Sequence, residues 1–286
     1  MPRQGGVVAE VYLLKYMRKI FSAGLIILPV VAVIIFFSPE AMAFTVTPGR
    51  VEVTIPAGES YEGSFNVANP DSSAVEIKVS AEDWSSAKDV GKTAAGETPF
   101  LAWLEISPKV LKLGPSETGI INYKATLPKE TKGELSAMIY FGTGPAPMGG
   151  SVSVVSRVGN ALYVIAKGTE IVKGELIDII ISKTNPLKAD VAVKNAGNVH
   201  VRPKGKLLIQ KRGKKPVELS LNDAGFPVLP GQTYIFEAWS KKKISPGLYS
   251  CQLNMKFGEE SFDKKFEFIV DAKGKASIKE EKGKAK

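Results

Sequence analysis

The chain has 286 residues, 44% of them hydrophobic, a formal net charge of +9, one cysteine and one histidine. Such a length and apolar content suffice for one large or two ordinary cores, while a lone cysteine excludes an intrachain disulfide and a Cys/His zinc site lacks its ligands. The charge divides into +2 over residues 1–43, +4 from Ala272 onward and +3 for the body between, and a body so mildly charged is no evidence for nucleic-acid binding, which usually shows a concentrated basic face.

The first 43 residues read as an export signal. Arg18 and Lys19 precede an apolar run over 20–37, and Ala41-Met42-Ala43 then supplies a small-x-small cleavage pattern, so the mature chain is expected to begin at Phe44, with Met17 a second start point. The 18-residue run is also close to the length of an uncleaved membrane anchor. Either reading puts Phe44 onward outside the cytoplasm, periplasmic or extracellular, because the basic pair stays inside.

From Phe44 the chain is written in strands. Alternating apolar segments over 51–55, 63–67 and 75–79 are separated by Pro56-Ala57-Gly58 and Asn69-Pro70-Asp71, the rhythm of an antiparallel sandwich. A polar loop is expected over 85–98, then strands over 103–106, 110–113, 120–125 and 137–141. Four glycines and two prolines in residues 142–150 predict an exposed irregular loop.

Residues 149–168 then read as one long closing strand. Val152, Val154 and Val158 fall on one face and Ser151, Ser153, Val155 and Arg157 on the other, followed by a solid apolar run over 161–166. This strand has two readings: the last core strand of its domain, or a strand whose edge or face is offered to a partner.

A second unit starts near Thr169 and echoes the first, with a strand ending at Asn195 before a turn as another ends at Asn69. Further strands are expected over 199–209, 216–221, 232–238, 247–257 and 262–270. The fold class expected is therefore all-β, two immunoglobulin-like sandwiches in tandem after the apolar leader. Their boundaries are 44–168 and 169–271, with a Lys-rich, solvated and disordered tail over 272–286.

The residues offer little to catalysis, and no enzyme activity, cofactor or metal is expected. His200, between Val199 and Val201, reads as an ordinary strand residue beside a turn, and Cys251 as a small buried hydrophobe. The pairs Glu82-Asp83 and Glu259-Glu260 read as solvated surface. Trp84 and Trp103 end alternating strands and are expected in the core, whereas Trp239, before three lysines, is the candidate ligand-stacking aromatic.

Several stretches together resemble the PapD-like periplasmic pilus chaperones and related bacterial extracytoplasmic immunoglobulin-like two-domain proteins. They are Thr47-Pro48-Gly49-Arg50-Val51, Phe65-Asn66-Val67-Ala68-Asn69, Ala81-Glu82-Asp83-Trp84, Leu111-Lys112-Leu113-Gly114-Pro115, Met138-Ile139-Tyr140-Phe141 and residues 157–163. The resemblance implies a chaperone that binds surface or pilus-type subunits by strand addition, with a basic pair in the interdomain cleft holding the subunit's carboxylate end. Arg50 matches the first basic position; Asn160 stands where a lysine is expected, with Arg157 the nearest base. Val152, Val154 and Val158 would be the donor face. The second unit, with Asn195-Ala196-Gly197-Asn198, looks like the wider group, for which the alternative is a structural or adhesive envelope module binding wall polymer, glycan or an envelope protein.

Overall fold

The computed structural model describes residues 44–84, 101–144, 146–147 and 153–279. The expectations for Ala41, Ala43 and the cleavage, for the 85–98 loop and for Val152 lie outside the described residues.

Strands and turns make up the whole of this part, and no helix there is long and apolar enough to cross a membrane. The first half contains β1 (Thr45–Thr47), β2 (Arg50–Ile55), β3 (Ser60–Ala68), β4 (Val75–Asp83), β5 (Leu104–Ser107), β6 (Val110–Leu113), β7 (Thr118–Thr126), β8 (Glu134–Thr143), β9 (Ala146–Pro147), β10 (Ser153–Val154) and β11 (Arg157–Ala166). The second contains β12 (Gly174–Thr184), β13 (Leu187–Asn195), β14 (Lys204–Lys211), β15 (Val217–Leu221), β16 (Thr233–Ser240), β17 (Gly247–Phe257), β18 (Glu260–Val270) and β19 (Ala276–Lys279).

Burial follows the period of two that the residues carry. Val75, Ile77, Val79 and Ala81 of β4 are buried while Glu76 and Lys78 between them are exposed. In the first half these inward faces belong to a four-stranded sheet, β1-β3-β7-β5, and a five-stranded sheet, β2-β11-β8-β4-β6. Phe65 of the one meets Phe141 of the other edge-on, ring centroids 5.4 Å apart. The chain changes sheets at Pro48-Gly49: β1 pairs antiparallel with β3, and β2 pairs parallel with β11. Proline has no N–H to give to a ladder, so a break there loses no donor.

The second half packs β12-β13-β16 against β15-β14-β17-β18-β19. Ile179, Val191 and Phe236 from the first of these sheets share one core with Leu207, Leu253 and Phe268 from the second. Cys251 lies inside that core.

The echo between Asn69 and Asn195 has a structural cause. Asn69 donates its side-chain amide to Ser73 O and Gly114 O and accepts the N–H of Asp71. Asn195 does the same with Val199 O, Val228 O and the N–H of Gly197. In both halves a buried amide satisfies the turn after the second long strand and ties it to a distant loop, as buried backbone groups demand.

Three expectations are corrected. The long strand over 149–168 is interrupted: Ser153 and Val154 pair back onto Pro147 and Ala146, and the chain re-enters the main sheet only at Arg157. That short pairing also puts two residues of the expected irregular loop into a ladder. The tail expected over 272–286 is ordered in part, because Ala276–Lys279 forms β19 on the edge of β18. Edge pairing uses backbone groups alone, so a polar Lys-rich segment can supply it.

Candidate partner-binding site

β11 is hydrogen-bonded to β8 from Arg157 to Ile165 but to β2 only from Ala161 to Ala166. Over Arg157, Val158 and Gly159 the side of β11 that would face β2 therefore carries no strand among the described residues. Asn160 closes the gap: its buried amide donates to Pro48 O at 2.6 Å, at the point where the chain leaves β1. Val158 is half-buried opposite Phe141, and Val155, just before the open edge, is 56% exposed. Val154 sits in β10, paired with Ala146.

Arg50 and Arg157 occupy the same face of the five-stranded sheet, since Arg50 pairs with Ala161, four residues along β11 from Arg157. At about 3.3 Å per residue this separates them by about 13 Å along the strand, and they do not meet. Arg157 is internally satisfied: its Nη2 lies 2.8 Å from Glu82 Oε1, and its guanidinium stands 3.4 Å over the Tyr140 ring. That links β11, β8 and β4 across their outer face. Arg50 is the freer base, 52% exposed and 3.2 Å from Glu52.

Beyond these residues the outer face of β11 is covered by the second sandwich. His200 lies flat on Tyr163 with ring centroids 3.8 Å apart, and Arg202 stands 5.2 Å from the same ring. His200 Nε2 is 2.9 Å from Glu52 Oε1 and Nδ1 is 2.6 Å from Glu134 Oε2. His200 is thus a junction residue, correcting the ordinary strand position expected for it. Burial raises the Tyr163 hydroxyl well above its usual range, the nearby Arg202 opposing that in part.

This cluster escaped the sequence because its members, Glu52, Glu134, Tyr163, His200 and Arg202, come from four distant segments. The available signal was polarity in an apolar frame: His200 is flanked by Val199 and Val201, both buried. Trp84 belongs to the same junction, partly buried against the group of Ala161, Tyr163 and Leu229.

Trp239 stands on β16, 63% exposed. With Phe226, Ile235, Asp190 and Glu237 it lines a cleft of about 920 Å³ along the seam of β15 and β16. It lies in the second sandwich, apart from the β11 edge.

The chain is similar to solved chaperone structures. The YadV chaperone matches at 12% identity over 78% of this chain and 98% of that one, with a TM-score of 0.44. The class 5 fimbriae chaperone CfaA matches at 15% identity over 78% and 98%, TM-score 0.42. The Pseudomonas aeruginosa chaperone CupB2 matches at 15% over 80% and 95%, TM-score 0.40. No family model and no curated protein matches the chain.

Proposed function

We propose that this chain is an exported, non-enzymatic assembly factor that holds a protein subunit of a surface or secreted structure by strand addition at the start of β11. The observation that carries the reading is the one-sided pairing of β11 over Arg157, Val158 and Gly159. An edge strand presents unused N–H and C=O groups in register, a template for an incoming extended segment. Exposed Val155 adds apolar surface beside that template, and Arg50 adds a positive charge that a partner's carboxylate can use. Arg157, Asn160, Val152, Val154 and Val158 are the remaining partner-side residues of this reading. It places the protein in the periplasm or outside the cell, its two sandwiches spanning 44–168 and 169–271.

The test compares Arg50→Ala and Val154→Asp for recovery of a partner identified by mass spectrometry from the native envelope, each beside a thermal melt. Both variants are expected to fold and to lose the partner, the second because an unpaired charge would have to enter an apolar groove. Unchanged recovery by both refutes the reading.

A second reading, an envelope module that binds wall polymer or glycan, is favoured by the exposure of Trp239 beside Phe226 in one cleft. It predicts retention on insoluble wall polymer that Trp239→Ala abolishes without change in melting temperature.

A further inference from the structure

We propose that the end of the second sandwich remote from the first docks on a membrane surface rich in anionic phospholipid. Four connections meet there. β12 turns into β13, β14 into β15, β16 into β17 and β18 into β19 at the same end, since Thr184 pairs with Leu187, Leu187 with Ser240, Lys211 with Tyr249 and Gly247 with Val270. Hydrogen bonds fasten them together: Thr184 Oγ1 donates to Gly274 O at 2.7 Å, the Leu187 N–H to Lys242 O at 2.9 Å and Lys211 Nζ to Pro246 O at 2.6 Å. This cluster stands at the Leu187 end of β13, about 26 Å along the strand from Asn195 and the junction beyond it.

Lysine dominates these connections. Residues 183–187, 211–216, 240–246 and 271–275 hold nine lysines, Arg212 and a single acid, Asp271. All ten cations except Lys211 are exposed. Asp271 caps its own turn, accepting the N–H groups of Lys273 and Lys275. Asp190 and Glu237, further along β13 and β16, are bridged by Lys188 at 3.6 and 2.6 Å. Eight of the ten cations and Asp271 fall within the body, whose net charge is +3, so this end carries +7 of it and the remainder −4. Like charge gathered on one end repels itself, and an anionic surface relieves that repulsion.

Exposed apolar side chains border the cations on both outer faces. Trp239 is 63% exposed two residues before Lys241, and Leu248 and Ile269 are direct cross-strand partners, one pair in from the end of the β17–β18 ladder and nearly half exposed. Tryptophan settles at headgroup depth, and lysine lays its stem along apolar surface with its ammonium among the phosphates. A soluble polyanion would meet the charge alone and would give these three side chains nothing to bury. The surface belongs to the second sandwich, so it stands or falls independently of strand addition at β11.

The test is sedimentation of the full chain with vesicles of phosphatidylcholine, alone or mixed in equal parts with phosphatidylglycerol. The neutral vesicles register any contribution of the apolar run over 20–37. The parent is expected to bind the mixed vesicles about tenfold or more tightly than the neutral ones. Lys214→Glu, Lys215→Glu, Lys241→Glu and Lys243→Glu combined should remove that difference without lowering the melting temperature. The same reversal at Lys78, Lys129, Lys264 and Lys265, exposed elsewhere, should keep most of it. Tryptophan emission should shift to the blue on the mixed vesicles, and Trp239→Phe should abolish the shift. Equal binding by the parent and the first variant, equal loss in both variants, no preference for phosphatidylglycerol, or an emission shift that survives Trp239→Phe overturns the proposal. So does binding to a short DNA duplex without binding to vesicles, which would make this end a general polyanion surface.

Discussion

His200 of the second sandwich lies flat on Tyr163 of the first, ring planes 25° from parallel and centroids 3.8 Å apart. Its two nitrogens reach Glu52 of β2 and Glu134 of β8, so one imidazole holds three strands of one sheet to a loop of the other domain. The Glu134 side chain has no solvent exposure, and its Oε1 has no hydrogen-bond partner. Removing the histidine would leave that carboxyl group buried without the ring nitrogen that bonds it.

His200→Ala is accordingly expected to destabilise the chain by about 3–5 kcal/mol, the cost of stripping one partner from a buried pair. Glu134→Gln should cost less, because its amide oxygen can still accept from the His200 ring. Urea unfolding of the two variants checks the order; a His200→Ala protein as stable as the parent would show that the junction does not depend on this ring.

The two arginines should separate in their effect on stability. Arg50 is half-exposed, and Arg50→Ala is expected to change stability by less than about 0.5 kcal/mol. Arg157→Ala should cost about 1–3 kcal/mol, because it takes a charge-assisted bond from Glu82, whose side chain is only 12% exposed, and a cation from the Tyr140 face. Thermal melts decide between this and an equal effect of both.

The Asn69 and Asn195 brackets make a paired prediction. Asn→Asp at either position puts a carboxylate, which cannot donate, against two backbone carbonyls, at about 1–3 kcal/mol for each one left unpaired. Both substitutions should lower the denaturation midpoint, and amide exchange should show each acting first in its own half.

Much of this architecture was legible from alternation alone. The inward residues of β3, β4, β13 and β17 are the apolar ones that period two selects, and the Asn69–Asn195 echo marked a turn that both halves build with the same hydrogen bonds. The junction was not legible. Periodicity is a local signal, whereas Glu52, Glu134, Tyr163 and His200 meet only once two sandwiches are docked. β19 was hidden for a different reason: its residues are polar, and an edge strand can be held by backbone bonds that leave no mark on side-chain pattern. The candidate site stood between these cases, since the position of β11 followed from its apolar run but its open edge depends on where β2 begins.

Cys251 gives a pH prediction. Burial pushes its thiol from 9.0 up to about 12. Above pH 9 the unfolded chain loses this proton while the folded one keeps it, so the unfolded state binds fewer protons and stability falls as pH rises through that interval. The contribution is fully present below about pH 9 and declines towards pH 12. Cys251→Ala should flatten that part of the decline in urea midpoint, leaving the part due to Tyr123, which burial also raises to about 12. At pH 8 a thiol reagent should label Cys251 only as fast as the protein unfolds.

The proposal that β11 accepts a partner strand is tested most directly by amide hydrogen exchange over residues 157–160, measured on the free chain and on a complex with a partner identified from the envelope. Strand addition predicts that partner binding slows exchange at the amides that face away from β8, while exchange over Ala161 to Ile165, already paired on both sides, stays as it was. A bound partner that leaves residues 157–160 exchanging at the free rate would contradict it.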